Sequence, residues 1–351
     1  MKKWPWGKIL SGAVIVISLA MVLFIVFGNP ELENAWEVLT TLKPGWFAAS
    51  LLCFAGYVWS EGIGLCAFLR MEGFRVRPTT ATHFSFAGIY YANITPGASG
   101  GQPMQVYLMR KRGIPGGVAT SALTARYFFN QMTVVLVAVA LWALNREFVE
   151  GQVGHAKLFI FLGCLVNFAT VPIVVLVTLN RPLVERIGRW GIHFLAKRRL
   201  CKSPESWEQR MMETLDHFHG SLFDLLRHPG HLLLQLAISL VEMGSLMLVP
   251  LMVYKALGLS GEPWYHLMTI AYLLFVSASY TPLPGASGAQ EGGFLVYFGG
   301  LFPSGTLSVA LLVWRFTTYY LCLILGAADQ VYSTLRAKRK PIPREKQKEK
   351  A

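Results

Sequence analysis

Charge is scarce in this sequence. Asp, Glu, Lys and Arg together make up 15% of its 351 residues, where a soluble globular chain carries about 25%. A chain so poor in charge and so rich in apolar residues (54%) cannot cover its own surface with polar groups. Its solvent must be largely lipid. Cysteine is sparse as well. Cys53, Cys66, Cys164 and Cys322 lie in apolar runs and Cys201 in a basic loop. No spacing among them suits zinc or a disulfide framework, so they read as small hydrophobes. There is no nucleotide-binding loop, no nucleophile–base constellation and no paired acidic metal motif. The pairs His217/His219 and His228/His231 have metal-like spacing but no Cys or Asp cluster beside them. The expectation is no metal and no cofactor.

The charge that is present is mostly positive, with a formal net of +13. In a soluble protein that would raise nucleic acid as a partner. Here it gathers at the N-terminus (Lys2, Lys3, Lys8), in Arg110-Lys111-Arg112, in Lys197-Arg198-Arg199 and after Arg336. Those are the loops and ends that the positive-inside rule places in the cytoplasm. No nucleic-acid partner is expected.

Full spans are drawn at Ile9–Phe27, Trp46–Leu69, Val118–Leu144, Leu158–Leu179, Leu232–Leu257 and Thr306–Val331. Each approaches the roughly 20 apolar residues that cross the hydrocarbon layer. The first run is too long for a signal peptide and lacks a small-x-small cleavage site, so it reads as a retained helix. Trp46, Trp142, Tyr254 and Trp264 lie near span ends, where amphipathic rings favour the interface. Two further apolar segments, His83–Met109 and Trp264–Phe302, are broken in the middle by Pro and Gly, which interrupt helices. Charge at the flanks makes both ends of the first segment cytoplasmic and both ends of the second external. The expected fold is therefore an all-α polytopic membrane protein of about six full spans plus two opposed re-entrant helical hairpins. Two ordinary spans per broken segment would give the same charge parity. Both termini are expected in the cytoplasm, and the expected location is a cytoplasmic membrane.

The two breaks are nearly one sequence. Pro96-Gly-Ala-Ser-Gly-Gly-Gln102 and Pro284-Gly-Ala-Ser-Gly-Ala-Gln290 lie 188 residues apart and agree at six of seven positions. Pro115 and Pro303 keep that offset, and Arg126 and Arg315 exceed it by one. The chain thus divides into a single membrane domain over 1–335 with inverted repeats at 46–144 and 232–331. A cytoplasmic amphipathic loop at 181–230 separates the repeats, and a basic cytoplasmic tail follows at 336–351. Within the loop, Met211–Leu226 has apolar residues at helical spacing, to lie on the inner leaflet or pack under the bundle. An inverted repeat with discontinuous helices is a common transporter layout, with the site near the midplane.

Arg126 and Arg315 lie well inside predicted spans. A charge there costs about 2.5–3.5 kcal/mol on insertion scales, and Arg does not escape by losing its proton. Either the two face a cavity and hold an anion such as phosphate through the guanidinium fork, or they pair with a buried acid (Glu61, Glu242 or Glu291) or with hairpin carbonyls. Asn93, Pro96, Gly97, Ser99, Gly100 and Gln102 at the first break, with Pro284, Gly285, Ser287 and Gln290 at the second, would bring small residues and backbone N–H groups to a ligand. The alternative is capping by Ser and close packing by Gly. Glu291, which has Pro103 at its repeat position, could pair with Arg, titrate in proton coupling or meet a cationic headgroup.

The Asn-x-x-Pro-Gly-x-x-Gly-Gly segment at Asn93–Gly101 and the Pro-Leu-Pro-Gly-x-x-Gly-x-x-Glu segment at Pro282–Glu291, with Arg126 and Arg315 following, resemble the lysylphosphatidylglycerol synthase transmembrane-region family. The second motif departs from the usual pattern in having Ala286-Ser287-Gly288-Ala289 where bulkier residues between the glycines are expected. The resemblance implies a flippase-type module that moves a phospholipid or polyprenyl-phosphate lipid between leaflets. It also implies that the aminoacyl transferase of the full-length synthases is not part of this chain, so no enzymatic activity is expected. A separate lipid-synthesis enzyme and a second copy of the chain are the protein partners this reading admits. A membrane-embedded transferase acting on a lipid-linked headgroup, or a scaffold subunit of a lipid-synthesis complex, are the rival readings.

Overall fold

The computed structural model describes residues 40–153, 157–197, 204–279, 281–303, 305–335 and 342. The first expected span, Ile9–Phe27, and all of the basic tail except Ile342 lie outside the described residues. Within them the chain is helical throughout and forms no strand. In chain order the helices are α1 (Pro44–Met71), α2 (Pro78–Asn93), α3 (Gly101–Lys111), α4 (Gly116–Leu144), α5 (Arg146–Gln152), α6 (Lys157–Leu179) and α7 (Arg181–Lys197). There follow α8 (Pro204–Arg227), α9 (Pro229–Ala256), α10 (Trp264–Ala278), α11 (Ala289–Phe298), α12 (Leu307–Arg315) and α13 (Leu321–Leu335). Helices α12 and α13 join through a π-helical turn, Phe316–Tyr320.

Sequence marks many of these ends. Proline opens α1, α2, α8 and α9, where its missing N–H costs nothing and its φ is already helical. At the close of α1, the N–H groups of Gly73 and Phe74 bond back to Arg70 and Leu69 at 3.0 and 2.9 Å. Those are the paired bonds of a Schellman stop. The close of α9 at Gly258 and Leu259 repeats them.

Four described helices are long and apolar enough to cross a membrane: α1, α4, α9 and the α12–α13 unit over Leu307–Asp329. Helix α6 carries the apolar stretch Leu158–Thr170, and α10 is a shorter apolar helix. The two broken segments are helix–turn–helix hairpins. In the first, α2 packs on α3; in the second, α10 packs on α11. Their tips meet, and the Gly97 N–H donates to the Pro282 carbonyl at 2.9 Å.

The 188-residue repeat holds in the backbone. The 3₁₀ turns at the tips occupy Pro96–Ala98 and Pro284–Ala286. Both pairs, Gly97/Ala98 and Gly285/Ala286, take left-handed φ between 49° and 60°. The repeat-equivalent helices α1 and α9 run antiparallel. The Lys43 N–H at the start of α1 donates to Ala256 O at the end of α9, 2.8 Å. At the other end, Gln235 near the start of α9 donates to Gly64 O, 3.0 Å.

Two apolar cores result. One packs the N-terminal half of α1 (Phe54, Val58) and the C-terminal half of α4 (Val134, Ala138) with α9 to α12. The other packs the opposite halves (Leu65–Leu69 of α1, Val118–Phe129 of α4) with Phe84, Met109, Leu222 and Leu225. Between them, at the mid-height of the helices, lies a layer of polar side chains. Helix α8 is packed under the bundle. Leu215, Leu222 and Leu225 are buried, and Gly117 of α4 approaches the Thr214 carbonyl so closely that a Cβ would sit 2.4 Å from it. Of the four aromatic rings expected at span ends, Trp46, Trp142 and Trp264 are exposed, but Tyr254 is buried. It stacks edge-on against Phe302 and its hydroxyl accepts from the Glu262 N–H at 3.1 Å. The expectation for Tyr254 fails because the end of α9 is covered by the α11–α12 connection rather than by lipid.

Candidate functional site

The polar layer opens into a cavity of about 790 Å³ below the meeting hairpin tips. Helices α1, α2, α4 and α9 form one side of it, and α10, α12 and the π-helical turn form another. Of the residues singled out in the sequence, Asn93, Gly97, Ser99, Gln102, Arg126, Gly285, Gln290 and Arg315 line it. Pro96, Gly100, Pro284, Ser287 and Glu291 are not part of the wall. Gly100 donates its N–H to Thr95 Oγ1 at 2.8 Å. The Ser287 hydroxyl closes its own turn on the Pro284 carbonyl at 2.8 Å.

Both arginines are buried and both hold acids. Arg126 forms a salt bridge to Glu242. Its Nη1 donates to Gln235 Oε1 and Ser239 Oγ at 3.1 and 3.2 Å. Asn130, one turn further along α4, donates to the other Glu242 oxygen at 2.6 Å. The Nε–H of Arg126 finds no acceptor among the described residues. Arg315 bonds Glu291 through Nε at 2.7 Å and the Gly285 carbonyl through Nη2 at 3.1 Å. Its guanidinium lies 4.9 Å from the centre of the Tyr319 ring, a favourable cation–π arrangement. Glu291 has no exposed surface. Besides holding Arg315 it accepts the Gly288 N–H at 2.6 Å and so caps α11, where a negative charge is favoured by the helix dipole.

A family model of the lysylphosphatidylglycerol synthase TM region matches residues 9–326, all but the two ends. The chain belongs to that family. Among curated proteins it is similar to a UPF0104 membrane protein of Archaeoglobus fulgidus. The two are 24% identical over 339 residues, covering 92% of this chain and 97% of that protein. The match takes in both hairpins and both arginines, so the whole cavity of this lysylphosphatidylglycerol synthase TM-region member lies inside the family's span.

Sequence reasoning passed over several residues of the polar layer. Gln105, Asn130, Gln235 and Ser239 carry no charge, and amides in apolar runs attract little notice. One signal was available. Gln235, Ser239 and Glu242 stand at i, i+4 and i+7 of α9, a polar stripe on one face of an apolar helix. Glu61 and Glu242 read as structural polar glue in the sequence; Glu242 takes Arg126, and Glu61 lines the cavity.

The tip glycines share a backbone but not an environment. A Cβ on Gly97 would meet nothing within 4 Å, whereas on Gly285 it would lie 2.2 Å from the Tyr319 ring. Gly97→Ala should therefore cost only left-handed backbone strain, about 1–2 kcal/mol. Gly285→Ala should add about 1–3 kcal/mol of overpacking and shift the ring beneath Arg315. Thermal unfolding in detergent should rank wild type first, Gly97→Ala second and Gly285→Ala last. The reverse order of the two variants would contradict this placement of the tips.

Proposed function

We propose that this protein moves a phosphate-bearing lipid between the leaflets of a cytoplasmic membrane. The two hairpins enter the bilayer from opposite faces and meet near its midplane, with six full spans around them and both termini in the cytoplasm. The headgroup enters the cavity between them while its tails stay in lipid. One observation carries the reading: two buried arginines, each on the helix that follows one of the two matching hairpins, converge on one polar cavity at the mid-height of apolar helices. Irregular backbone at that depth is tolerated where it lines a wet cavity, and discontinuous helices facing a central site are a transporter layout.

Arginine has five N–H donors. Its carboxylate partners engage only part of that set, and the buried Nε–H of Arg126 has no acceptor among the described residues. The carboxylates hold the guanidinium groups in place when no lipid is bound; a phosphate then takes bonds from donors already oriented. The Gly97 turn, open to the cavity, adds polar backbone without side-chain bulk.

The test is leaflet exchange in proteoliposomes. Fluorescent phosphatidylglycerol, a polyprenyl phosphate and a headgroup-free diacylglycerol are compared with protein-free vesicles. Exchange of the phosphate-bearing probes that requires protein supports the reading. If folded, monodisperse protein moves none of them, the reading fails, and a transferase or scaffold role takes its place.

A further inference from the structure

Among the described residues, the charges around the cavity do not balance. Two guanidinium groups, Arg126 and Arg315, face three carboxyl groups: Glu61 and Glu242 on the wall and Glu291 behind Arg315. Glu242 and Glu291 each hold an arginine. Glu61 is bonded instead by a neutral amide, Gln105 Nε2, at 3.2 Å. An unmatched charge at membrane depth is costly, and a carboxylate removes that cost by taking a proton.

We propose that Glu61 is a proton-binding site, and that a proton on Glu61 and a phosphate in the cavity favour one another, so that lipid exchange is coupled to proton movement. The proposal rests on the transport reading above and names its coupling ion. The surroundings of Glu61 are settled by the packing. Helix α4 presents Arg126, which lies over Gly64, one turn along α1; a Cβ there would be 2.4 Å from its Cζ. Helix α9 presents Glu242, α1 itself presents Tyr57, and α13 brings the thiol of Cys322. The wall residues of α2 (Gly88, Ile89, Ala92, Asn93) and of α3 (Gln102, Pro103, Gln105) carry no charge. Arg126 thus stands between two acids, in a salt bridge with Glu242 and within Coulombic reach of Glu61, so one guanidinium serves two carboxyl groups.

With Glu61 ionised, an entering phosphate meets a cavity that already carries one negative charge in excess. With Glu61 protonated the carboxyl groups and guanidinium groups balance, and the hydroxyl becomes a donor. By thermodynamic reciprocity, whatever factor the proton adds to phosphate affinity, phosphate adds to proton affinity. The step is simple in atoms: the carboxylate takes one proton from water on one side and returns it to water on the other. Glu291, the acid that the sequence offered for this role, is already engaged by Arg315 and the α11 cap.

The experiment uses the full chain in phosphatidylcholine vesicles with fluorescent phosphatidylglycerol as probe and a pH dye inside, comparing wild type with Glu61→Gln. Gln keeps the acceptor for Gln105, and size-exclusion profiles check folding. Wild-type exchange should fall about tenfold per unit of rising pH above the titration of Glu61, and an imposed pH gradient should drive it with proton uptake. Glu61→Gln should exchange at a rate indifferent to pH and move no protons. Equal pH profiles in two exchanging proteins would overturn the proposal while leaving the transport reading intact. Should neither protein exchange lipid, the transport reading fails by itself, and infrared difference spectroscopy still decides the proton site. Acidification must then produce a protonated-carboxyl band in wild type that Glu61→Gln lacks; no such band overturns it.

Discussion

Arg126→Ala should abolish lipid exchange and cost the fold about 3–5 kcal/mol, the usual penalty for stripping one partner from a buried ion pair. The loss is large because Glu242 has no exposed surface and would keep its charge with Asn130 alone. Gln235 and Ser239 would lose their donor as well. Such a variant by itself does not separate a structural arginine from one that binds substrate. Arg126→Gln with Glu242→Gln does. Two amides can bond one another without net charge, so thermal stability in detergent should return to within about 1–2 kcal/mol of wild type. Exchange of phosphate-bearing lipid should remain absent, because the guanidinium is gone. A double variant that folds and exchanges at the wild-type rate would show that Arg126 only holds the helices together.

Glu291→Ala should cost about as much, again roughly 3–5 kcal/mol, with a further ~1 kcal/mol for the lost helix cap. Arg315 would be left buried, bonded to the Gly285 carbonyl, and α11 would lose the Glu291–Gly288 contact that closes its first turn. Unfolding in detergent should show the loss directly. Glu61→Gln should leave that same unfolding temperature nearly unchanged, since Glu61 bears no salt bridge among the described residues. The contrast between two acids, one that shapes the hairpin and one that titrates, is visible without any transport measurement. Loss of stability in Glu61→Gln comparable to that of Glu291→Ala would reverse the assignment.

Several parts of the fold were legible from local chemistry. Apolar runs, their proline starts and the Gly-rich breaks follow from propensity and hydropathy, which act within a few residues of one another. Hence the spans drawn at Trp46–Leu69, Val118–Leu144 and Leu232–Leu257 fall within two residues of α1, α4 and α9 or inside them. The repeat was legible for a different reason. Pro96-Gly97-Ala98 and Pro284-Gly285-Ala286 each place two successive residues at left-handed φ, and few sequences do so cheaply, so two such turns share nearly the same residues. Arg126 and Arg315 stood out because a charge inside an apolar run is costly wherever its partner lies.

Partner choice was not legible. Glu61, Glu242 and Glu291 were equal candidates for the arginines in one dimension. Packing of α9 against α1 and α4 gives Glu242 to Arg126; the return of α11 toward α12 gives Glu291 to Arg315; Glu61 is left with an amide. The same holds for Tyr254, whose position at a span end is visible in the sequence while the Phe302 ring that covers it comes from the α11–α12 connection. Sequence alone determined that this chain lives in a membrane, that it is helical, and that it carries two nearly identical Gly-rich breaks and two arginines inside apolar runs, because those properties depend on residue type and short spacing. Tertiary structure alone decided which charges cancel and which acid on the cavity wall is left without an arginine of its own, because in a low-dielectric interior the state of an ionisable group is set by neighbours a few ångströms away, and those neighbours lie 24 to 116 residues distant along the chain.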